Sequence, residues 1–283
     1  AFLLGVANAF DAPARISFVT ELVDRKDLTN AIALNATMFN TATATGQAVG
    51  GLVYAWVGPA WCFMINAISF LAVIFALGLM KIQPTARAAV SKSALKEIQA
   101  GFGYVRSQVV VRTLMIYVLI LGLFGLGFVT LIPAWAVKVL GGDATTNGYL
   151  QSARGIGALL GALTLASVSG MVPKGKLITW GGLVFPALLI VFALVNVLPL
   201  SLILLLGIGF WFVFFINSAN ALIQSLVPDQ LRGRVMSIYM VAFRGGMPLG
   251  ALITGVLAKS FFLPHIMLVE GVLLIAIAAG FLF

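Results

Sequence analysis

The chain has 283 residues, of which 61% are hydrophobic and only 9% are charged. A soluble domain carries about 25% charged residues, and a soluble fold cannot hide this much apolar surface from water. These values exclude a water-soluble globular protein and indicate a membrane protein.

The net charge of +9 does not indicate a nucleic-acid-binding protein, because the basic residues lie in short loops between apolar runs and form no continuous basic domain. The single cysteine, Cys62, excludes a disulfide framework.

Apolar runs long enough to cross a bilayer recur along the whole chain. One helical span needs about 20 apolar residues, and the runs of this length predict about nine spans. They lie near 1–17, 28–57, 61–80, 113–135, 145–170, 176–197, 199–223, 232–258 and 264–283. We therefore expect an all-α membrane protein. Because the chain starts with Ala and stops inside an apolar run, we also expect it to be a fragment.

The distribution of Lys and Arg predicts the orientation of these spans. One set of alternate loops carries nearly all the basic residues, and the other set carries only Lys138 and Lys259. The positive-inside rule assigns the basic set to the cytoplasm. The predicted location is therefore the cytoplasmic membrane, with the long stretch 81–112 in the cytoplasm.

The stretch 81–112 is the longest polar segment and predicts a division between two helical bundles. We expect residues 1–80 to belong to the N-terminal bundle, 81–112 to be a linker, and 113–283 to form a C-terminal bundle of six helices. Within the linker, Leu95, Ile98, Phe102 and Val105 recur at helical spacing. This spacing predicts an amphipathic helix along the cytoplasmic membrane surface.

An internal repeat supports the two bundles. Leu22-Val23 precede a charged turn and a glycine-rich helix, and Leu226-Val227 precede a second charged turn and a second glycine-rich helix. Parallel repeats of this kind are typical of one class of secondary transporter.

Several segments resemble the drug–proton antiporter branch of the major facilitator superfamily, and most of all the branch with macrolide efflux proteins and the enterobactin exporter. The segments are AFDAPAR at 9–15, ELV at 21–23, NAIALN at 30–35, WCFMINAISF at 61–70 and VPDQLRGRVMS at 227–237. The resemblance covers essentially the whole chain, as family helices four to twelve. It implies two pseudo-symmetric six-helix bundles, with the first three family helices missing here.

The fifth-helix motif of family antiporters has small residues along one face and ends in Gly-Pro-x-x-Gly-Gly. The matching positions here are Ala33, Ala42, Gly46, Gln47, Gly50 and Gly51, with Gln47 where proline is usual. The resemblance implies that this face seals the transport pathway and favours exchange. Ordinary close packing of helices through small residues is the alternative, and the missing proline weakens the antiporter interpretation.

The resemblance also implies a conformational latch at the cytoplasmic helix ends, in which cations and carboxylates exchange partners during transport. Its residues are Asp229, Arg232, Gly233 and Arg234, with Lys174 and Lys176 as a degenerate second copy. A solvated loop that follows the positive-inside rule is the alternative.

Charged residues within predicted spans are few and are candidates for coupling or substrate binding, because charge in a membrane span is costly. They are Asp11, Arg154, Arg244 and Glu270. Glu270 can carry a coupling proton, and Arg154 or Arg244 can neutralise it or hold an anionic substrate. The alternative for each is a polar contact between helices or a side chain that reaches the membrane surface.

These features predict a secondary transporter that exports hydrophobic or amphipathic small molecules, such as drugs, macrolides or siderophores, by proton antiport and alternating access. Uniport and a non-transporting sensor or secretion accessory on the same fold remain alternatives. An intramembrane enzyme is disfavoured, because the chain has one His and scattered carboxylates. We expect no cofactor, metal or nucleic-acid partner; the expected partners are the substrate, protons and the lipid bilayer, and the expected state is a monomer.

Overall fold

The computed structural model describes residues 56–79, 94–168 and 171–282, together with single positions at 34, 38, 42, 49 and 53. The predicted spans 1–17 and 28–57 therefore lie almost wholly outside the described residues. Helix α1, Pro59–Leu79, corresponds to the span predicted at 61–80. The larger of the two compact units of the chain contains residues Ala44–Asn66 and Ser91–Phe283, and the described residues within 94–282 are called the bundle below.

The described residues of the bundle form helices joined by short turns. In chain order they are α2 (Ala94–Ser107), α3 (Val109–Phe124), α4 (Gly127–Lys138), α5 (Ala144–Val168), α6 (Lys174–Ala193), α7 (Leu198–Leu226), α8 (Asp229–Ser260) and α9 (Leu263–Leu282). The turns between α7 and α8 and between α8 and α9 contain only two residues each.

Six helical stretches among the described residues are long and apolar enough to cross a membrane. They are 60–79, 109–138, 174–193, 198–226, 230–260 and 263–280. The span predicted at 145–170 forms α5 but is not among the six. The reason is its composition, since Thr, Asn, Gln, Arg and Gly residues lower its hydropathy. The helices and spans confirm an all-α membrane protein.

The stretch 109–138 is interrupted in its middle, where a single helix was predicted at 113–135. Helix α3 ends at Phe124, and the N–H of the next residue, Gly125, donates to the carbonyl oxygen of Leu121 at 2.8 Å. Helix α4 starts two residues later at Gly127. Glycine has a low helix propensity because ordering its backbone costs more entropy than for any other residue. The glycine pair therefore accounts for the interruption.

Helices α3 and α8 pack closely through glycines. A methyl group at Gly122 of α3 would lie 2.8 Å from the carbonyl oxygen of Phe243 on α8. One at Gly246 would lie 3.2 Å from the carbonyl oxygen of Leu119, and one at Gly250 would collide with that of Leu123. Backbones can approach this closely only where no side chain intervenes.

Helices α5 and α7 pack in the same way. A methyl group at Gly157 or Gly161 of α5 would collide with the carbonyl oxygen of Leu206 or Phe210 on α7, and one at Gly209 would collide with that of Arg154. The interval from Gly157 to Gly246 equals that from Gly161 to Gly250. Each seam thus contains a pair of glycines four residues apart on one helix, Gly157 and Gly161 on α5 and Gly246 and Gly250 on α8.

Helix α2 packs against α8 and the end of α7. A methyl group at Gly101 would lie 3.0 Å from the side chain of Ile238, and the hydroxyl of Tyr104 donates to the carbonyl oxygen of Leu226 at 2.9 Å. Val105 is buried, whereas Ile98 and Phe102 are 54% and 57% exposed. The position of this helix along the membrane surface stays a prediction.

Candidate functional site

The bundle contains one cluster of buried polar groups that joins three helices. Glu270 of α9 is 4% exposed and Thr254 of α8 is 1% exposed. The hydroxyl of Thr254 donates a hydrogen bond to Oε1 of Glu270 at 2.5 Å. This places a predicted candidate residue in the interior of the bundle.

Gly127, the first residue of α4, makes room for this pair. A methyl group there would lie 2.6 Å from Oε1 of Glu270 and would collide with the hydroxyl of Thr254. The interruption of the helix at 125–126 brings this glycine to the start of a helix. The carbonyl oxygen of Gly127 accepts a hydrogen bond from the hydroxyl of Thr130 at 2.7 Å.

The second carboxyl oxygen of Glu270, Oε2, is buried, and no hydrogen-bond donor reaches it from the part of the chain that the structure describes. A buried carboxylate without compensating partners is costly, whereas a neutral carboxyl group places a much smaller demand on its surroundings. The arrangement therefore suits a carboxyl group that binds and releases a proton.

The two candidate arginines lie elsewhere in the bundle. Arg154 of α5 is half-buried, and its Nε donates to Oε1 of Gln151 at 3.3 Å. Arg244 of α8 is exposed and lies ten residues before Thr254, about 15 Å along the helix axis. Neither forms an ion pair with Glu270 in the described residues, so this structure does not support neutralisation of Glu270 by either arginine.

The predicted latch residues gather around the C-terminal end of α7. Lys174, at the start of α6, donates from Nζ to the carbonyl oxygen of Ala221 at 3.5 Å. Arg232 of α8 donates from Nε to the carbonyl oxygen of Gln224 at 3.2 Å. Cations at a helix C-terminus compensate its carbonyl groups and the negative end of its dipole. These two contacts are cation–carbonyl contacts, and the exchange of cation–carboxylate partners stays a prediction.

The other latch positions are distributed over the same end of the bundle. Asp229 begins α8, Gly233 and Lys176 are exposed, and Arg234 is half-buried beside α2. Of the remaining candidates, Ala42 is helical and exposed. The candidates outside the described residues are Asp11, Ala33, Gly46, Gln47, Gly50 and Gly51.

Sequence reasoning missed Thr254 and Gly127. A threonine or a glycine in an apolar helix is common and carries no signal of its own. Their roles depend on α4, α8 and α9 meeting at one point, which no local pattern indicates.

Comparison with known proteins agrees with this architecture. Residues 1–283 match the major facilitator family described as transmembrane secretion effector. The chain is 26% identical over 285 residues to the staphyloferrin A transporter of Staphylococcus aureus, covering all of this chain and 70% of that protein.

Two further relatives are of the same type. The chain is 28% identical over 270 residues to the multidrug efflux pump Tap of Mycolicibacterium fortuitum, covering 92% of this chain and 65% of that protein. It is 26% identical over 268 residues to the enterobactin exporter EntS of Escherichia coli, covering 90% of this chain and 61% of that protein. The chain thus spans less than two thirds of the length of these two relatives.

The family match confirms the resemblance predicted from the sequence, and it confirms a transporter rather than an enzyme. The helices and candidate spans agree with it, because the bundle is part of the major facilitator fold. The chain is a multi-pass membrane protein that belongs to the transmembrane secretion effector family of the major facilitator superfamily.

Proposed function

We propose that the complete protein exports a hydrophobic or amphipathic small molecule, such as a drug, a macrolide or a siderophore, in exchange for protons. The transporter family supports the transport class, and the relatives named for staphyloferrin A, multidrug efflux and enterobactin support this range of substrates. Two bundles alternate between opening to the two sides of the membrane.

The observation that carries the proton coupling is the Glu270 carboxyl group. It is buried and accepts a hydrogen bond from Thr254 through one oxygen, and no described residue donates to the other oxygen. Acidic side chains inside membrane spans form the proton relays of many transporters. In this proposal Glu270 takes up a proton from one side of the membrane and releases it to the other.

Two further elements have proposed roles in the conformational cycle. The basic residues around the end of α7 act as the latch, and the contacts of Lys174 and Arg232 with carbonyl oxygens of α7 support this role. The small-residue face from Ala33 to Gly51 seals the pathway in the N-terminal bundle.

The proposed location is the cytoplasmic membrane, with the 81–112 linker and the latch on the cytoplasmic side. The excess of Lys and Arg on that side supports this orientation. The proposed organisation has an N-terminal bundle in residues 1–80 and a C-terminal bundle in residues 113–283. The protein acts as a monomer in this proposal.

Uniport is the second candidate, and Gln47 favours it. This residue replaces the proline of the antiporter motif, so the feature associated with exchange is incomplete. A uniporter moves the same substrate down its own gradient without proton movement. A measurement of proton flux therefore distinguishes it from the antiporter.

The test uses the complete reading frame in inside-out vesicles with an acidified lumen and a pH-sensitive dye. Macrolides, lipophilic cations and catechol siderophores are added one at a time. For the antiporter, a transported compound dissipates the proton gradient, and Glu270→Gln abolishes this response because glutamine keeps the shape but cannot carry a proton.

Counterflow of labelled substrate provides the matched control. It needs substrate exchange but no net proton movement, so Glu270→Gln should retain it. Gradient loss that survives Glu270→Gln would move the proton site elsewhere. Substrate flux without proton movement would indicate uniport, and no response from correctly inserted protein would indicate a non-transporting relative.

A further inference from the structure

An apolar crevice opens at the basic end of the bundle, between α3 and α6. It has a volume of about 330 Å³, and α7 and α9 contribute to its walls. Its residues at the helix ends include Val109, Gly175 and Leu222. The crevice therefore begins at the level of the basic loops.

The inner end of the crevice is closed by a defined set of contacts. The hydroxyl of Tyr117 donates to the carbonyl oxygen of Gly182 at 2.9 Å and so joins α3 to α6. The ring of Phe215 lies edge-on to that of Tyr117, with a centroid distance of 5.0 Å. From Val109 to Tyr117 the crevice extends about 12 Å along α3, which suits the outer part of one acyl chain.

The chemistry of the walls favours an apolar occupant. Val109 and Val110 are exposed, and the wall carries only a few polar groups, including the hydroxyls of Thr113 and Thr179. Water needs two to four polar partners to occupy such a space stably. An alkyl chain fits it better, and the two hydroxyls can donate to ester carbonyl groups.

The rim of the crevice is cationic. Lys174 and Lys176 flank Gly175, which lines the crevice. The Lys174 ammonium group lies against the carbonyl oxygen of Ala221, next to Leu222 of the wall. Arg112, adjacent to Thr113, is exposed at the same end. Basic pockets between helices on the cytoplasmic side suit the headgroups of anionic lipids.

We propose that this crevice binds an anionic phospholipid of the cytoplasmic leaflet, with one acyl chain between α3 and α6 and the phosphate against Lys174 and Lys176. The site is separate from the Glu270 cluster, and its occupant is not the transported substrate. The inference does not depend on proton coupling.

The experiment titrates the complete, delipidated protein with phosphatidylglycerol and with phosphatidylcholine of the same chains, followed by native mass spectrometry. We expect tighter binding of phosphatidylglycerol. Lys174→Gln with Lys176→Gln should weaken phosphatidylglycerol binding about tenfold and remove the preference, because each cation contributes to attraction of the headgroup. Lys138→Gln, at the other end of the bundle, is the matched control and should change nothing.

Filling the crevice tests the position of the acyl chain. Thr113→Trp should weaken binding of both lipids, whereas Ile116→Trp, on an exposed position of the same helix, should not. Thr179→Phe blocks the crevice from the opposite wall and is the second variant if Thr113→Trp does not fold. Lipid binding that is unchanged in the blocked variants, or in the lysine variant, would overturn the proposal.

A photoactivatable phosphatidylglycerol, with its reactive group at the chain end, tests the site without any substitution. Cross-links should map to residues 113–117 and 178–182. Cross-links confined to other helices would contradict the assignment. No result in these assays depends on transport, so they fail or succeed separately from the proton-antiport test.

Discussion

The two glycine seams of the bundle have the same packing but different chemistry at one end. On α8 the row Gly246, Gly250 continues with Thr254, whereas the corresponding row on α5, Gly157 and Gly161, continues with Leu165. Thr254 is buried against Glu270, and Leu165 is half-buried. Close helix packing explains the glycines in both rows, but it does not require a polar pair in either. Glycine packing therefore accounts for the two seams, but it does not account for the Thr254–Glu270 pair.

The largest expected effect tests the equivalence of the seams. Gly157→Ala and Gly250→Ala should each destabilise the protein by about 1–3 kcal/mol, because the new methyl group meets a backbone carbonyl that cannot move aside easily. Thermal unfolding in detergent, followed by size-exclusion chromatography, measures both. Gly255→Ala is the matched control on α8, where a methyl group meets no atom within 4 Å. It should be neutral or stabilising by up to about 1 kcal/mol. Equal stability of the Gly157→Ala, Gly250→Ala and Gly255→Ala proteins would contradict close backbone packing at the two seams.

The next effect concerns the polar end of one seam only. Thr254→Val should cost about 1–3 kcal/mol, because Oε1 of Glu270 loses its hydrogen bond while it stays buried. Thr254→Ser keeps the donor and should lose less stability, and it should keep the proton response of the vesicle assay. At the corresponding place, Leu165→Val removes one methylene and should have no effect on that response. A Thr254→Val protein with unchanged stability and coupling would show that the hydrogen bond is dispensable.

The smallest expected effect on stability concerns the N-terminal ends of α5 and α8, which also differ. Asp143 precedes α5, and its Oδ1 accepts hydrogen bonds from the N–H of Thr146 at 3.0 Å and from its hydroxyl at 3.2 Å. Helix α8 instead follows Pro228 and has no side-chain cap. The N–H of Thr146 is the main cause that lowers the pKa of Asp143 below the ordinary value of 3.8.

Because the folded-state pKa is depressed, the contribution of Asp143 to stability is present above pH 3.8 and is lost as the pH falls through the lower folded value. Asp143→Asn keeps a capping side chain but removes the titration. Unfolding midpoints measured from pH 6 down to acid should therefore converge for the two proteins at the acid end. Parallel curves would contradict a role for the ionised carboxylate.

Much of the fold was predictable from the sequence because hydropathy is a local property. The predicted span near 264–283 corresponds to α9, and the one near 199–223 corresponds to α7, within a few residues at each end. Hydropathy identified a membrane span less clearly at α5, because the glycines and polar side chains of this helix make it less apolar than a typical span. The glycine interruption at 125–126 was missed because the apolar run continues through it.

The candidate site was predictable only in part. Glu270 stands out in the sequence because a carboxylate is rare inside an apolar run, and the structure finds it buried. Its partners were not predictable, since Thr254 and Gly127 are ordinary residues of apolar helices. Among the described residues neither Arg154 nor Arg244 forms an ion pair with Glu270, and their role stays a prediction, because charge alone does not tell which helix faces which.

The sequence by itself determined the membrane environment, the helices of the described bundle and the family, since length, apolar composition and motif residues are local. Only the tertiary structure decided which faces meet. Lipid and a helix-packed interior are both apolar, so hydrophobic periodicity does not separate the buried face of a span from the lipid-facing one. The glycine seams, the contact of Lys174 with α7 and the meeting of Gly127, Thr254 and Glu270 therefore depend on the way the helices pack.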